Sequence, residues 1–519
     1  MKYVLRTLVF AHRWVGIVLC LVFLLWFPSG IGMMYWTFPE VGAEDRLEHS
    51  PKLDPAQIIL SPEEAAETLD LQATPGGVRL NSFDGRPVYR FGEGGRGGGA
   101  ARIVYADTGE EQTEVSTEML DRIASSWTDR PSQTARKESV EEPDQWTVAG
   151  QLRNLRPMYK YSWPDGQQVY LNGATGEVVQ YTTFASRMAA HISAIPHWLY
   201  YTPLRQNQPF WINFMIYASM IGTIGSIIGM IVAVWMYSPK KRYRLAGNPT
   251  GVPYRGQKRW HWIFGMVFGV ATITWTFSGM MSLGPFPLVE RLTGSNRADG
   301  RGGGRSGAQQ GIAGALRGRV RMTDFASVHP GDVLARVPNL DVRELEWTSF
   351  NGTPIFSAKL SGGKNRLLSL DGAEIDGFDQ EKVIEIIKGA VPDPDAIEIR
   401  PIDEYDLYYF DRTRQRPLPV LLVLMNDADH TRHYVDPKSA RVLTTYSSRN
   451  WVNRWLYSAL HSLNFPFLYN HRPLWDIVVI TFMVGGTALC VTSLVLGWRV
   501  LGRKLKRAAV TDVLTAEPS

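Results

Sequence analysis

His12-Arg-Trp-Val-Gly16 opens an apolar run that passes Trp26 and reaches Ser29-Gly30, and His261-Trp-Ile-Phe-Gly265 opens a second that passes Trp275 and reaches Ser278-Gly279. In both, Gly stands four residues after the His, Trp fourteen after it, and Ser-Gly begins seventeen after it. Four matched positions in one register point to an internal duplication. Each run is long enough to cross a bilayer, and an ionisable residue in such a frame is a candidate functional group.

Working outward, four stretches of 21 or more residues lack Asp, Glu, Lys and Arg: Trp14–Tyr35, Phe210–Tyr237, Ile263–Leu283 and Ile477–Trp498. About 20 apolar residues span the hydrocarbon core as a helix. The first stretch is too long for a signal peptide, lacks a small-residue cleavage site and has an internal twin at Ile263. The reading is four transmembrane helices. Lys240, Lys241, Arg242, Arg244, Arg255, Lys258 and Arg259 crowd one connection without an acidic residue. Lys2, Arg6 and Arg13 flank the start, and Arg499, Arg503, Lys504, Lys506 and Arg507 the end. The Lys/Arg bias puts all three in the cytoplasm. The net charge of +5 arises from these flanks and gives no argument for nucleic acid. Cys20 and Cys490 both lie within spans, which excludes an extracytoplasmic disulfide.

The chain divides accordingly: a first span (1–36), an extracytoplasmic domain (37–190), an interfacial segment and second span (191–238), and a basic loop (239–260). A third span (261–283), a second extracytoplasmic domain (284–450), an interfacial helix and fourth span (451–500) and a tail (501–519) complete it. Ser61-Pro-Glu-Glu64 is a helix start, with Ser as cap and acids in the first turn. Pro87–Phe91 and Ala101–Tyr105 read as strands about a glycine-rich loop at Gly92–Gly99; Gln168–Leu171 and Glu177–Tyr181 read as strands about a turn at Asn172–Gly176. Gly294–Gly318, rich in Gly, Arg and Ser, reads as a flexible loop.

A strand running into a Thr-Gly-Glu turn occurs as Val104-Tyr-Ala-Asp-Thr-Gly-Glu110 and Val169-Tyr-Leu-Asn-Gly-Ala-Thr-Gly-Glu177, and in degraded form at Leu368–Gly372 and His433–Ala440. His197 and His461 each lie fourteen residues before a Trp, at 211 and 475, that begins a later span. Motifs and order together resemble the PepSY-associated transmembrane family over nearly the whole chain. That resemblance implies a four-helix membrane bundle with two α+β PepSY-like periplasmic domains. It also implies a place in the bacterial inner membrane, b-type haem, and a role in iron uptake like that of inner-membrane ferric-siderophore reductases.

Repeats of like orientation are related by an axis along the membrane normal, so equivalent residues share a depth. His12 and His261 are expected opposite one another near the cytoplasmic face, and His197 and His461 near the outer face. Paired imidazoles on facing helices suit axial ligation of haem iron, giving two haems, with pairing within each half or a single haem as the alternatives. Gly16 and Gly265, one turn beyond each inner His, leave room for a flat macrocycle. A His near a helix end also hydrogen-bonds head groups or a neighbouring helix, and Gly225 with Gly229 reads as plain helix packing. Zinc or copper lacks a thiolate or close His spacing. His191 is a reserve ligand, while His49, His329, His430, His433 and His471 are expected at the surface. Tyr35, Trp36, Trp198, Tyr200, Tyr201, Trp451 and Trp455 are expected in interfacial belts.

No Walker motif or strand–Gly-x-Gly-x-x-Gly–helix occurs, so a flavin or NAD(P)H site is not expected. Electrons would come from a separate cytoplasmic donor or from quinol and pass to a ferric siderophore or other iron chelate. The competing expectations are a non-enzymatic PepSY membrane regulator and a siderophore permease.

Overall fold

A computed structural model describes residues 2–71, 73–92, 102–284, 307–391, 393–411, 414–450 and 453–515. Within these, four helices are long and apolar enough to cross a membrane: Lys2–Met33, Gln208–Trp235, Gln257–Met281 and Leu474–Thr515. They form a bundle in which the first and third each pack on both the second and the fourth, which places first and third diagonally opposite. Gly225 and Gly229 behave as the spacing predicts: the second helix receives Val15 and His12 of the first helix where those glycines lack side chains. Val18, Leu21, Ile224, Val267, Val270, Val484 and Val491 face outward, as lipid-facing residues do.

The remainder is built from helix-plus-strand modules. In the first half β1 (Val78–Phe83), β2 (Arg86–Phe91) and β3 (Arg102–Tyr105) follow the helix Pro62–Glu67, which Ser61 and Glu64 cap reciprocally. After the helix Thr117–Thr128 come β4 (Arg136–Val140), β5 (Met158–Ser162), β6 (Gln168–Asn172) and β7 (Val178–Thr182). Between the second and third spanning helices, the basic connection carries a small hairpin of β8 (Tyr243–Leu245) and β9 (Asn248–Thr250). The second half repeats the pattern: Pro330–Ala335 precedes β10 (Val342–Phe350), β11 (Thr353–Leu360), β12 (Asn365–Leu368) and β13 (Glu374–Ile375). Gln380–Gly389 then precedes β14 (Ile397–Ile402), β15 (Val420–Met425), β16 (Arg432–Asp436) and β17 (Arg441–Tyr446).

The two long segments are not separate bodies. β1 pairs antiparallel with β10, Leu80 opposite Leu345, and joins the first module of each half into one seven-stranded sheet ordered β13-β12-β11-β10-β1-β2-β3. One core, with Leu80, Tyr89 and Val104 from the first half and Leu345, Trp347 and Phe356 from the second, lies on that sheet. An unpaired edge is a liability for either module alone, and pairing removes both edges. The seam also carries charge. Buried Glu344 accepts from Asn81 Nδ2 at 2.9 Å and Lys359 Nζ at 2.6 Å; Asn81 Oδ1 accepts from Arg90, which pairs with Glu177 at 2.6 Å.

Two expectations need correction. Gly307–Arg317, the end of the presumed loop, is helical, and Ile312 and Leu316 are buried against Val383, Ile387, Leu421, Val423 and Val435. The two residues four apart make one apolar face, which averaged composition conceals. His433 is not at the surface: it points into the core from β16, fully buried, its Nδ1 2.8 Å from the Thr445 hydroxyl. His49 is half-buried and stacked on Trp127, and His329 is half-buried as a helix cap, whereas His430 and His471 are exposed. The Gly92–Gly99 loop beyond residue 92, residues 294–306 and Trp451 lie outside the described residues.

Candidate functional site

The inner pair joins helices that otherwise sit on opposite corners of the bundle. The His12 and His261 rings are 6.1 Å apart between centroids. His12 fits against the second helix because Gly229 has no side chain there, and its Nδ1 lies 2.9 Å from the Gly225 carbonyl. A carbonyl only accepts, so Nδ1 carries the proton and Nε2 keeps its lone pair. The Nδ1 of His261 lies 3.2 Å from Thr492 Oγ1 and 3.3 Å from Ser493 Oγ on the fourth helix. Both hydroxyls donate to the Leu489 carbonyl, at 2.7 and 3.0 Å, so toward His261 they accept.

The outer pair repeats this logic. His197, on the short helix Ala194–Trp198, and His461, on Leu460–Ser462, have ring centroids 6.0 Å apart. His197 Nδ1 lies 3.2 Å from both Ser29 Oγ and the Trp26 carbonyl, and His461 Nδ1 lies 3.1 Å from Ser278 Oγ. Ser29 donates to the Leu25 carbonyl at 2.6 Å and Ser278 to the Trp275 carbonyl at 3.2 Å, so both hydroxyls accept from the imidazoles. Gly30 and Gly279 lie beside these rings: a Cβ there would come 3.7 and 3.4 Å from ring Cε1.

The spacings of the duplication thus acquire physical roles. Each chain turn after an outer His passes through a left-handed Leu, Leu199 at φ 51° and Leu463 at φ 50°. The Trp fourteen residues on locks it, with Trp211 Nε1 donating to the Trp198 carbonyl at 2.9 Å and Trp475 Nε1 to the Ser462 carbonyl at 3.0 Å. Ser29 and Ser278, evident only as repeat markers, are the acceptors that set the tautomer of the outer imidazoles. Their signal was a hydroxyl recurring inside otherwise apolar runs. The Gly225 carbonyl, Thr492 and Ser493 carry no such signal. His191 is not brought to the pair: it is exposed, bonds the Arg187 carbonyl of its own helix at 2.7 Å and packs edgewise on Trp146. Trp198 and Tyr200 serve the core below the outer pair rather than a belt, while Tyr35 and Trp36 are exposed as belt residues are.

The geometry suits two axial imidazoles on one metal. Ring centres 6.1 and 6.0 Å apart leave a gap that a metal held between the two imidazoles of each pair would fill. Among the described residues no hydrogen-bond partner meets Nε2 of any of the four His. No group of three or more His, Cys, Asp or Glu stands together among the described residues. Neither glycine one turn beyond the inner His is crowded: a Cβ on Gly16 meets nothing within 4 Å, and one on Gly265 only Leu489 at 3.9 Å. Seventeen residues of helix separate His12 from Ser29, about 25 Å along the axis, so the two pairs lie toward opposite faces of the bundle. A scan against family models finds no match to this chain, and no curated protein matches it.

Proposed function

We propose that the chain is a haem-bearing electron-transfer protein of the bacterial inner membrane, related to the PepSY-associated transmembrane family. Both termini are cytoplasmic, the two sheet-bearing segments are periplasmic, and the activity is reduction of ferric iron or a ferric siderophore. The observation that carries this reading is the two His pairs, each about 6 Å between ring centres, with every Nδ1 occupied and every Nε2 left for a metal.

His12 and His261 would hold the inner b-type haem, and His197 and His461 the outer one. A haem held by these imidazoles would supply one-electron chemistry. The protein's part is orientation and dryness. The Nδ1–H bonds to Gly225, Thr492, Ser493, Ser29, Trp26 and Ser278 fix each ring and raise its basicity as a ligand. Phe23, Phe27, Trp275 and Met483 pack between the two levels and keep water out. A separate cytoplasmic donor or quinol supplies one electron, and one ferric ion outside becomes ferrous. Ferrous iron is the softer cation, so hard oxygen donors hold it less tightly and release follows.

The test is an absorption spectrum of the detergent-purified protein, oxidised and dithionite-reduced. Sharp reduced α and Soret bands, halved when His12 and His261 are both replaced by Leu and lost when all four are, support the reading. A colourless protein despite ample haem supply rejects it and leaves the regulator or the permease.

A further inference from the structure

Arg205 ends the short helix Thr202–Arg205 just before the second spanning helix and is only 4 % exposed. Its guanidinium lies between two rings, 4.6 Å from the centre of Tyr200 and 4.2 Å from that of Trp211. Its Nε and Nη1 are buried without a hydrogen-bond partner, and no carboxylate pairs with it among the described residues. Cation–π contact recovers only part of the cost of burying a charge, so this cation wants an anion.

Its surroundings place that anion. Trp211, beneath the guanidinium, is the residue whose Nε1 holds the carbonyl next to His197. Trp26, whose carbonyl accepts from His197, packs on the same Leu199–Trp211–Met215 cluster, and its own Nε1 is likewise buried without a partner. Trp275, the counterpart of Trp26, has the same unpartnered Nε1, so it is the unpaired donors of Arg205, one cluster away from the His197 turn, that set this side apart. An oxyanion, which only accepts, satisfies them.

Two comparisons within the chain sharpen this. Arg454, the other deeply buried arginine, donates to the Leu407 carbonyl and, at 2.9 Å, to the Asn464 carbonyl, with Asp406 lining the same small cavity. Two of its guanidinium nitrogens are thus held by its own fold and only Nη1 is left without a partner, whereas no guanidinium nitrogen of Arg205 has a hydrogen-bond partner among the described residues. In the second half, the residue eight after His461 is Tyr469, packed edgewise on Trp475 as Arg205 packs on Trp211. Trp475 also carries a guanidinium over its ring, that of Arg472 at 5.2 Å, but Arg472 is exposed and paired with Asp476, whereas the enclosed guanidinium of Arg205 has no such carboxylate among the described residues.

We propose that Arg205 is a carboxylate-binding subsite of the outer haem site and takes a peripheral carboxylate of the macrocycle held by His197 and His461. This rests on the haem reading above. A lipid phosphate is the lesser fit, since a head group needs an open approach and this guanidinium is enclosed.

The test uses the full chain in detergent with His12 and His261 both replaced by Leu, so that one haem remains. Arg205→Gln and Arg205→Lys are compared with the unsubstituted background, each loaded with haem b or its dimethyl ester. The expected result is a tenfold or greater increase in the rate of haem loss for Arg205→Gln and substantial rescue by Arg205→Lys. The ester should be lost from the background as fast as haem b is from Arg205→Gln, with no further effect of the substitution on the ester. Equal retention of haem b with and without Arg205 overturns the proposal, as does an ester still sensitive to the substitution, which assigns Arg205 to lipid or to packing. If the unsubstituted chain takes up no haem, the reading beneath the proposal fails instead.

Discussion

Replacing Gly229 by Ala tests the inner pair at its tightest point. A Cβ at Gly229 would stand 2.8 Å from His12 Nδ1 and 3.1 Å from Nε2, against an optimum of about 3.5–4.0 Å between non-bonded carbon atoms. The methyl sits on a helix backbone and cannot yield, so the imidazole must withdraw by roughly 1 Å. The 2.9 Å bond from Nδ1 to the Gly225 carbonyl then breaks. Overpacking costs about 1–3 kcal/mol and the lost hydrogen bond about 0.5–1.5 kcal/mol. Without ligand the ring escapes by rotating away, so the cost falls on the ligated state. At about 1.4 kcal/mol per tenfold, a total of about 2–4 kcal/mol weakens haem binding at the inner pair by roughly 30- to 1,000-fold. Haem titration followed at the Soret band, in the background where His197 and His461 are Leu, reads this directly. Gly16→Ala is the companion: its methyl meets no protein atom within 4 Å, so any loss of affinity there reports the macrocycle itself. Wild-type affinity in Gly229→Ala would refute the placement of His12 against the second helix.

Other expectations follow from single contacts. Ser278→Ala removes the hydroxyl 3.1 Å from His461 Nδ1 and should weaken outer haem binding about tenfold, whereas Ser29→Ala should cost less, because His197 keeps the Trp26 carbonyl; equal losses in a haem-release assay would contradict this. Burial tends to raise the Glu344 carboxyl, but Lys359 and the Asn81 amide outweigh it and hold it below the ordinary carboxylate range. Its stability contribution is therefore present at neutral pH and lost as pH falls below about 4.3 toward the folded value. Glu344→Gln should cost about 1–3 kcal/mol in denaturant unfolding and speed amide exchange in β1 and β10; unchanged exchange there would sink the seam argument. Burial pushes His433 down to about 4, so the unfolded chain binds the extra proton between about pH 6.5 and 4. Stability of β14–β17 should fall by up to about 3 kcal/mol as pH drops through that window. His433→Asn should flatten the profile, and hydrogen exchange at the two pH values distinguishes a flat from a sloped response.

What the sequence revealed depended on how local each signal was. The spanning helices were legible because long uncharged runs have few other uses, and the pairing of His12 with His261 was legible because same-sense repeats share a depth. The strands around Asn172–Gly176 and Val104–Glu110 were legible from turn residues and alternation. The β1–β10 seam was not, since Leu80 and Leu345 lie far apart in sequence and nothing local to either strand names its partner. The acceptors for the inner imidazoles were hidden for a related reason. A backbone carbonyl such as that of Gly225 exists at every position, and only packing selects it. His433 was misread because exposure was assigned by residue type, while strand alternation put it on the inward face beside Val435 and Thr445.

The duplication is therefore more than a record of ancestry. A single half would carry His12 and His197 but neither partner, a β1 edge open to other chains, and Asn81 without Glu344. Each of these needs the second half, and the two levels of the bundle are closed by the same internal symmetry that closes the sheet. Symmetry also makes departures informative. Where both halves keep a feature, as with Ser29 and Ser278 or Trp211 and Trp475, the frame requires it. Where the halves differ, as with Arg205 unpaired over Trp211 against Arg472 paired with Asp476 over Trp475, the difference is a carboxylate that one half has and the other lacks, and that is the gap the proposed subsite fills.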